Sequence, residues 1–130
     1  MVVTNYSAGD NDTRPWGQWT VLEAGPNFTV KTIKVDVGQR LSLQYHRHRS
    51  EHWVVVQGHG QVTLGGDRLN VEPGSHLYIP STTRHRIHNT GDNILVFVEV
   101  QFGEHLDEND IVRVEDDYDR LARPTAPEGK

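Results

Sequence analysis

The chain reads as an all-β protein, an antiparallel sandwich or barrel with little helix. Three observations point there. Short strand-like runs follow one another at 19–22, 28–35, 40–46, 52–57, 61–64, 68–71, 76–79, 84–88 and 94–101. The gaps between them carry turn residues, as in Gly25-Pro26-Asn27, Gly58-His59-Gly60, Gly65-Gly66-Asp67, Pro73-Gly74 and Thr90-Gly91-Asp92. No stretch before Leu106 has a helical period, so crossover helices and a parallel sheet are not expected.

The runs are justified by their alternation. In 29–35, Val30, Thr32 and Lys34 oppose Lys31, Ile33 and Val35; in 95–100, Leu95, Phe97 and Glu99 oppose Val96, Val98 and Val100. Arg14-Pro15-Trp16-Gly17 is loop punctuation before the first strand. Ile111-Val112-Arg113-Val114 could add an edge strand, followed by a short turn or helix. Residues 1–12 read as a flexible polar tail, 13–122 as one domain and 123–130 as a second flexible tail. A chain of 130 residues is large enough for a core without staples.

Composition narrows the function. The absence of cysteine excludes disulfides, thiolate zinc sites and thiol catalysis. No run is long and apolar enough for a membrane-spanning helix, and the start lacks the basic-then-apolar pattern of a secretory signal; a cytoplasmic protein with no membrane partner is expected. A net charge of -5 argues against a nucleic-acid partner. Half of the 18 acidic residues lie beyond residue 103, whereas Lys31, Lys34, Arg40, Arg47, Arg49, Arg84 and Arg86 occupy the middle. A basic centre in an acidic protein suits a small anion.

Two imidazole-rich segments stand out, 44–53 and 80–89. On an extended strand Gln44, His46 and His48 share one face and Tyr45, Arg47 and Arg49 the other; a reversal after His48 would bring the Glu51 carboxylate back beside the first row. The order Gly38, Gln44, His46, Glu51, Gly58, then Gly74, Pro80, Thr82, His85, Asn89 resembles the two-part cupin signature, with Gln44 where that pattern usually has His and Thr82 where it has Gly. The resemblance implies a double-stranded β-helix, or jelly-roll barrel.

The likeness narrows further. Arg14-Pro15-Trp16-Gly17, Leu41-Ser42-Leu43-Gln44-Tyr45-His46, His48-Arg49-Ser50-Glu51-His52-Trp53-Val54-Val55, Tyr78-Ile79-Pro80, His85-Arg86, Glu99-Val100-Gln101 and the run from Asp110 to Tyr118 are similar to the type II mannose-6-phosphate isomerase domain. That domain commonly forms the carboxyl-terminal part of bifunctional enzymes whose other half is a mannose-1-phosphate guanylyltransferase. The resemblance implies a metal-dependent aldose-ketose isomerase interconverting mannose 6-phosphate and fructose 6-phosphate through a cis-enediol. It implies one divalent ion on Gln44, His46, Glu51 and His85, zinc foremost, with manganese, cobalt, nickel or ferrous iron suiting the same nitrogen and oxygen donors.

Such chemistry needs a cationic grip on phosphate, which Arg14, Lys31, Arg49, Arg84 and Arg86 offer, with Arg14, Lys31 and Arg86 the first choices, and a proton carrier, for which His48, Glu99 and a metal-bound hydroxide are the candidates. His46 with His48 could alternatively form a simple His-x-His clamp. His52 is expected to face away from the ligands, and His88 to be structural. A homodimer joined through sheet edges would protect exposed strands. Two competing readings share the fold: a sugar-phosphate-binding cupin without catalysis, and an iron-dependent cupin dioxygenase, against which the basic residues speak.

Overall fold

The computed structural model describes residues 3–118, and no helix occurs among them. In chain order the strands are β1 (Val3–Thr4), β2 (Asn11–Arg14), β3 (Gly17–Ala24), β4 (Phe28–Val35), β5 (Leu43–Tyr45), β6 (Ser50–Gln57), β7 (Gly60–Leu64), β8 (Asp67–Val71), β9 (His76–Ile79), β10 (His85–Asn89), β11 (Leu95–Phe102), β12 (His105–Leu106) and β13 (Val112–Glu115). They form a six-stranded sheet in the order β2-β3-β4-β11-β6-β9 and a five-stranded sheet in the order β13-β5-β10-β7-β8. Both are antiparallel. A separate parallel pair joins β1 to β12. This is the antiparallel all-β architecture that the turn spacing implies, in the jelly-roll form that the cupin resemblance implies.

Register sorts the barrel interior into an apolar end and a polar end. Leu95, Phe97, Glu99 and Gln101 of β11 lie opposite Val35, Ile33, Lys31 and Thr29 of β4, and all are buried. On the other side of β11, Phe97, Glu99 and Gln101 lie opposite Val55, Trp53 and Glu51 of β6. Along β10 the inward sequence is Asn89, Ile87, His85. Each strand therefore passes from aliphatic to ionisable side chains at the same level, because antiparallel partners keep equal levels opposite one another. Val35, Leu95, Val62, Val55 and Ile87 fill one end almost without exposure. Full burial of such side chains contributes about 1.5–3 kcal/mol each.

Two local features make this register possible. Gly17 starts β3 so close to β4 that a Cβ there would collide with the Lys34 carbonyl oxygen. Thr82 sits at φ 67°, the left-handed region, while its N–H donates to the His46 carbonyl at 2.7 Å. That bond ties the loop before β10 to the end of β5. It holds the two imidazole-rich segments together.

Three expectations need correction. The strand over 40–46 shortens to Leu43–Tyr45, with Arg40 making only an isolated bridge to His88. The chain then bends through 46–49, so alternation does not carry from His46 to Arg49. The tail over 1–12 is not free where it is described: Asn5 donates to the Leu106 carbonyl at 3.0 Å, Tyr6 is buried, and β2 pairs with β3 from Asn11 onward. The edge strand at 111–114 appears as β13. The C-terminal tail at 123–130 and the end of the expected domain lie outside the described residues. Among the described residues no helix is long and apolar enough to cross a membrane.

A β-branched side chain at positive φ costs about 1–2 kcal/mol. Thr82 is exposed and its backbone makes the useful contact. Replacing Thr82 with Gly relieves that strain at some entropic cost in the unfolded chain, so Thr82→Gly is expected to stabilise by about 1 kcal/mol. Differential scanning calorimetry should show a melting temperature roughly 4 °C higher.

Candidate metal centre

Glu51 is the second residue of β6, points into the polar end of the barrel and is 1% exposed. An ionised carboxylate at that depth requires partners. It accepts from Arg49 Nε at 2.8 Å and from Trp53 Nε1 at 2.9 Å. Glu51 and Trp53 are spaced by two on β6 and Arg49 directly precedes that strand at the same spacing; all three are buried. Burial alone would raise the Glu51 pKa, but Arg49, followed by His46 and His85, holds it well below the usual carboxylate value.

The two imidazoles arrive from the opposite sheet. His85 opens β10 opposite Gln44 of β5, placing those side chains on one face. His46 follows the end of β5. Its Nδ1 lies 2.6 Å from the Asp110 carbonyl, and His85 Nδ1 lies 2.8 Å from the Thr83 carbonyl. A carbonyl accepts only, so both rings carry their proton on Nδ1 and turn an Nε2 lone pair inward. Burial first, then Arg49 for His46, keeps both pKa values below the ordinary histidine value, and both rings stay neutral.

His46 Nε2 is 3.4 Å from Glu51 Oε2, and His85 Nε2 is 3.9 Å from Glu51 Oε1. With neutral rings these are not ion pairs. The donor atoms of His46, Glu51 and His85 all lie within 4.8 Å of one another. His85 Nε2 is buried and has no hydrogen-bond partner. A buried lone pair aimed at a second imidazole nitrogen and a carboxylate oxygen is the donor set a divalent ion takes, with backbone carbonyls fixing both rings from behind. The residues fit the metal that the sequence implied. Gln44 is buried in the same cavity wall, beside the three donors. Arg49 NH2 is 3.2 Å from His46 Nε2, so the guanidinium borders the site.

A second charged group adjoins the first. Glu99 is buried in the same cavity, and Gln101 Nε2 donates to its Oε1 at 2.7 Å. Burial, and then the neighbouring Glu51 charge, raises its pKa to about 7. Lys31, opposite Glu99 on β4, donates to the Tyr6 hydroxyl at 3.0 Å and to Glu108 Oε2 at 3.2 Å. Burial lowers its pKa against the opposing pull of Glu108 and Glu99. Its ammonium also lies over the rings of Tyr6 and Trp19, 4.1 and 4.4 Å from their centroids. Arg14 NH2 donates to Glu108 Oε1 at 3.2 Å and pairs with Asp12.

Of the residues singled out in the sequence, the barrel gathers Gln44, His46, Glu51, His85, Glu99, Arg14 and Lys31 around one cavity. Two stand elsewhere. His48 is exposed beyond the end of β5, its ring 5.2 Å from that of His105, because the bend after Tyr45 carries it away from the row it would share on a straight strand. Arg86 follows His85 directly and so takes the other side of β10, where it donates to the Leu41 carbonyl at 2.9 Å and pairs with Glu115. His52 faces away as expected, packing against Tyr78 and Phe102.

Four contributors were not assigned from the sequence. The sequence offers Arg49 only as a phosphate cation on the outgoing face; its spacing from Glu51 and Trp53 carries the signal for its place beside Glu51. Tyr6, Glu108 and Asp110 come from segments without periodicity. Asp110 holds the 46–49 bend by accepting the N–H groups of Arg47 and His48 at 2.9 and 3.0 Å.

Comparison with known proteins places this arrangement. The profile of the family described as mannose-6-phosphate isomerase C-terminal matches residues 4–116. The alginate biosynthesis protein AlgA of Pseudomonas aeruginosa is 46% identical over 111 residues, 85% of this chain and 23% of AlgA. The mannose-1-phosphate guanylyltransferase ManC of Salmonella typhimurium is 43% identical over 108 residues, 83% of this chain and 22% of ManC. The chain thus spans less than a quarter of the length of these relatives. Among solved structures, the capsular polysaccharide assembling protein CapF from Staphylococcus aureus aligns with a TM-score of 0.69 at 22% identity, over 81% of this chain and 34% of that one. A cupin 2 conserved barrel domain protein from Rhodopseudomonas palustris aligns with a TM-score of 0.63 at 26% identity, over 69% and 63% of the two chains. With its profile match running through nearly every described residue and its site built on a cupin barrel, the chain belongs to the mannose-6-phosphate isomerase C-terminal family.

Proposed function

We propose that this domain is a metal-dependent sugar-phosphate isomerase that interconverts mannose 6-phosphate and fructose 6-phosphate. The observation that carries the proposal is the buried His46, Glu51 and His85 donor set lying in one cavity with Glu99, a carboxyl whose pKa is raised to about 7. Family membership supports the substrate class. His46, Glu51 and His85 would hold the ion, with Gln44 beside them as a neutral oxygen donor, and zinc suits the imidazole content best. When bound, such an ion supplies positive charge for an oxyanion developing on the sugar.

The proton work falls to Glu99. Isomerisation moves a proton from C2 to C1, and a cis-enediol presents both carbons on one face. A single carboxylate can therefore take the first proton and return it as the carboxylic acid. A group working on both sides of that exchange is best poised near the operating pH. Gln101 fixes one oxygen of Glu99, leaving the group positioned rather than free to rotate. Arg49, permanently charged and joined to Glu51, adds a cation to the same wall. Arg14 and Lys31 supply the cationic corner for the phosphate, and the indoles of Trp16 and Trp19 in the cavity wall offer apolar surface to a sugar ring.

Three measurements test this reading. Elemental analysis of the purified protein should find about one divalent ion per chain. His85→Ala and Glu51→Gln should each abolish that stoichiometry, and a wild-type protein that takes up no zinc, manganese or cobalt would remove the basis of the proposal. In a coupled assay for fructose 6-phosphate, Glu99→Gln should lower kcat/KM by roughly 100- to 10,000-fold while leaving the metal content unchanged. A base acts ionised, and burial holds the Glu99 pKa above the usual carboxylate value, so wild-type kcat/KM should be lost as pH falls through that raised pKa and recover above it. The rising limb should be absent in Glu99→Gln.

A further inference from the structure

The cationic corner of the cavity is already filled, and by the protein itself. Tyr6 Oη donates to Glu108 Oε2 at 2.6 Å, Lys31 Nζ donates to the same oxygen at 3.2 Å, and Arg14 NH2 reaches Oε1 at 3.2 Å. Three donors from β2, β4 and the N-terminal segment thus converge on one carboxylate. Lys31 and Tyr6 are buried, whereas the Glu108 side chain is 25% exposed. The donors are built into the barrel and the acceptor sits at its edge.

Two further donors, on residues lining the cavity, have no partner among the described residues: Arg14 Nε and Trp19 Nε1, both buried. A buried donor without an acceptor is destabilising, and an incoming acceptor relieves that cost. A carboxylate has two oxygens, both already engaged here; a phosphate group carries more acceptor oxygens and a second charge. The cavity at the centre of the site has a volume of about 50 Å³. That is room for a few waters, while small-molecule pockets start at about 300 Å³.

We infer that the Glu108 carboxylate is an internal stand-in for the ligand's phosphate, occupying the Arg14, Lys31 and Tyr6 donors until a phosphate dianion displaces it. The inference rests on the sugar-phosphate reading of the cavity and adds to it a built-in competitor that sets affinity. Displacement requires the Glu108 side chain to leave its bonds to Tyr6, Lys31 and Arg14. The segment that bears it stays anchored on both sides, by buried Leu106 and by the bonds of Asp110 to the 46–49 bend. Exchanging a monoanion for a dianion also leaves Arg14, Lys31 and Arg49 better neutralised, and a carboxylate turned outward regains water. A neutral sugar offers no such exchange, so the device favours phosphorylated ligands over free ones.

Isothermal titration calorimetry on the metal-loaded protein tests this with inorganic phosphate, acetate, mannose and mannose 6-phosphate. Glu108→Gln keeps the side chain's shape and removes the competing charge. It should bind phosphate and mannose 6-phosphate at least tenfold more tightly than wild type, with mannose unchanged, and adding Arg14→Gln should abolish the gain. Unchanged or weaker phosphate binding by Glu108→Gln overturns the inference, and an equal gain for acetate overturns the assignment to a dianion. Should Glu108→Gln fold poorly, crystals of the unaltered protein soaked in phosphate give the answer. Phosphate within hydrogen-bond distance of Arg14 and Lys31, with Glu108 turned away, supports displacement; Glu108 still on Lys31 with phosphate bound elsewhere overturns it. Tighter phosphate binding without turnover would retire the isomerase reading alone, and turnover with unaltered phosphate affinity would retire the stand-in alone.

Discussion

A single buried carboxylate sets the terms for the polar end of this barrel. Glu51 is charged at 1% exposure, a placement that would cost several kcal/mol without compensation. The compensation dictates the neighbours. Trp53 on β6 and Arg49 directly before it lie two residues to either side and both reach it, in keeping with the face that β6 turns inward. The histidines must approach as neutral rings with lone pairs forward, which requires carbonyls behind them, and those carbonyls belong to Asp110 and Thr83. The bend after β5, the loop before β10 and the segment between β12 and β13 are all held by this requirement. The apolar end of the barrel, where Val35, Leu95 and Ile87 pack, provides the rigid floor on which it is met.

The two carboxyls of the site show how environment divides labour between like groups. Glu51 has a guanidinium and an indole N–H in direct contact and stays ionised. In Glu99, equally buried, burial first and then the Glu51 charge outweigh Lys31 and Arg49 and lift the pKa to about 7. One is suited to holding a cation and the other to exchanging a proton. Their pKa values are pushed apart by partners rather than by depth, the pattern by which acid-base roles are commonly assigned between paired carboxyls.

Much of this was legible in the sequence, for a definable reason. Strand alternation, turn residues and the spacing of Gln44, His46, Glu51 and His85 are local signals, and the barrel preserves them because each ligand lies within or directly beside a regular strand. What failed was extrapolation across irregular backbone. Parity counted through the 46–49 bend put Arg49 on the wrong face and His48 on the right one; the structure reverses both. Arg86 was chosen for its charge although its adjacency to His85 already turned it outward. Tyr6, Glu108 and Asp110 reach the site from segments with no period to read, and their contributions follow from tertiary packing alone.

The parallel pairing of β1 with β12 has a consequence for the order in which the molecule assembles. It joins segments near opposite ends of the chain, and the Tyr6 to Glu108 contact beside it spans 102 residues. Closing a loop of that length costs on the order of 4 kcal/mol in chain entropy, yet the pairing is only two residues long on each side. It cannot form first, because nothing local offsets that cost; once the barrel holds both ends near each other, the same closure is cheap. The clasp is therefore favoured only once the barrel has brought its two halves together.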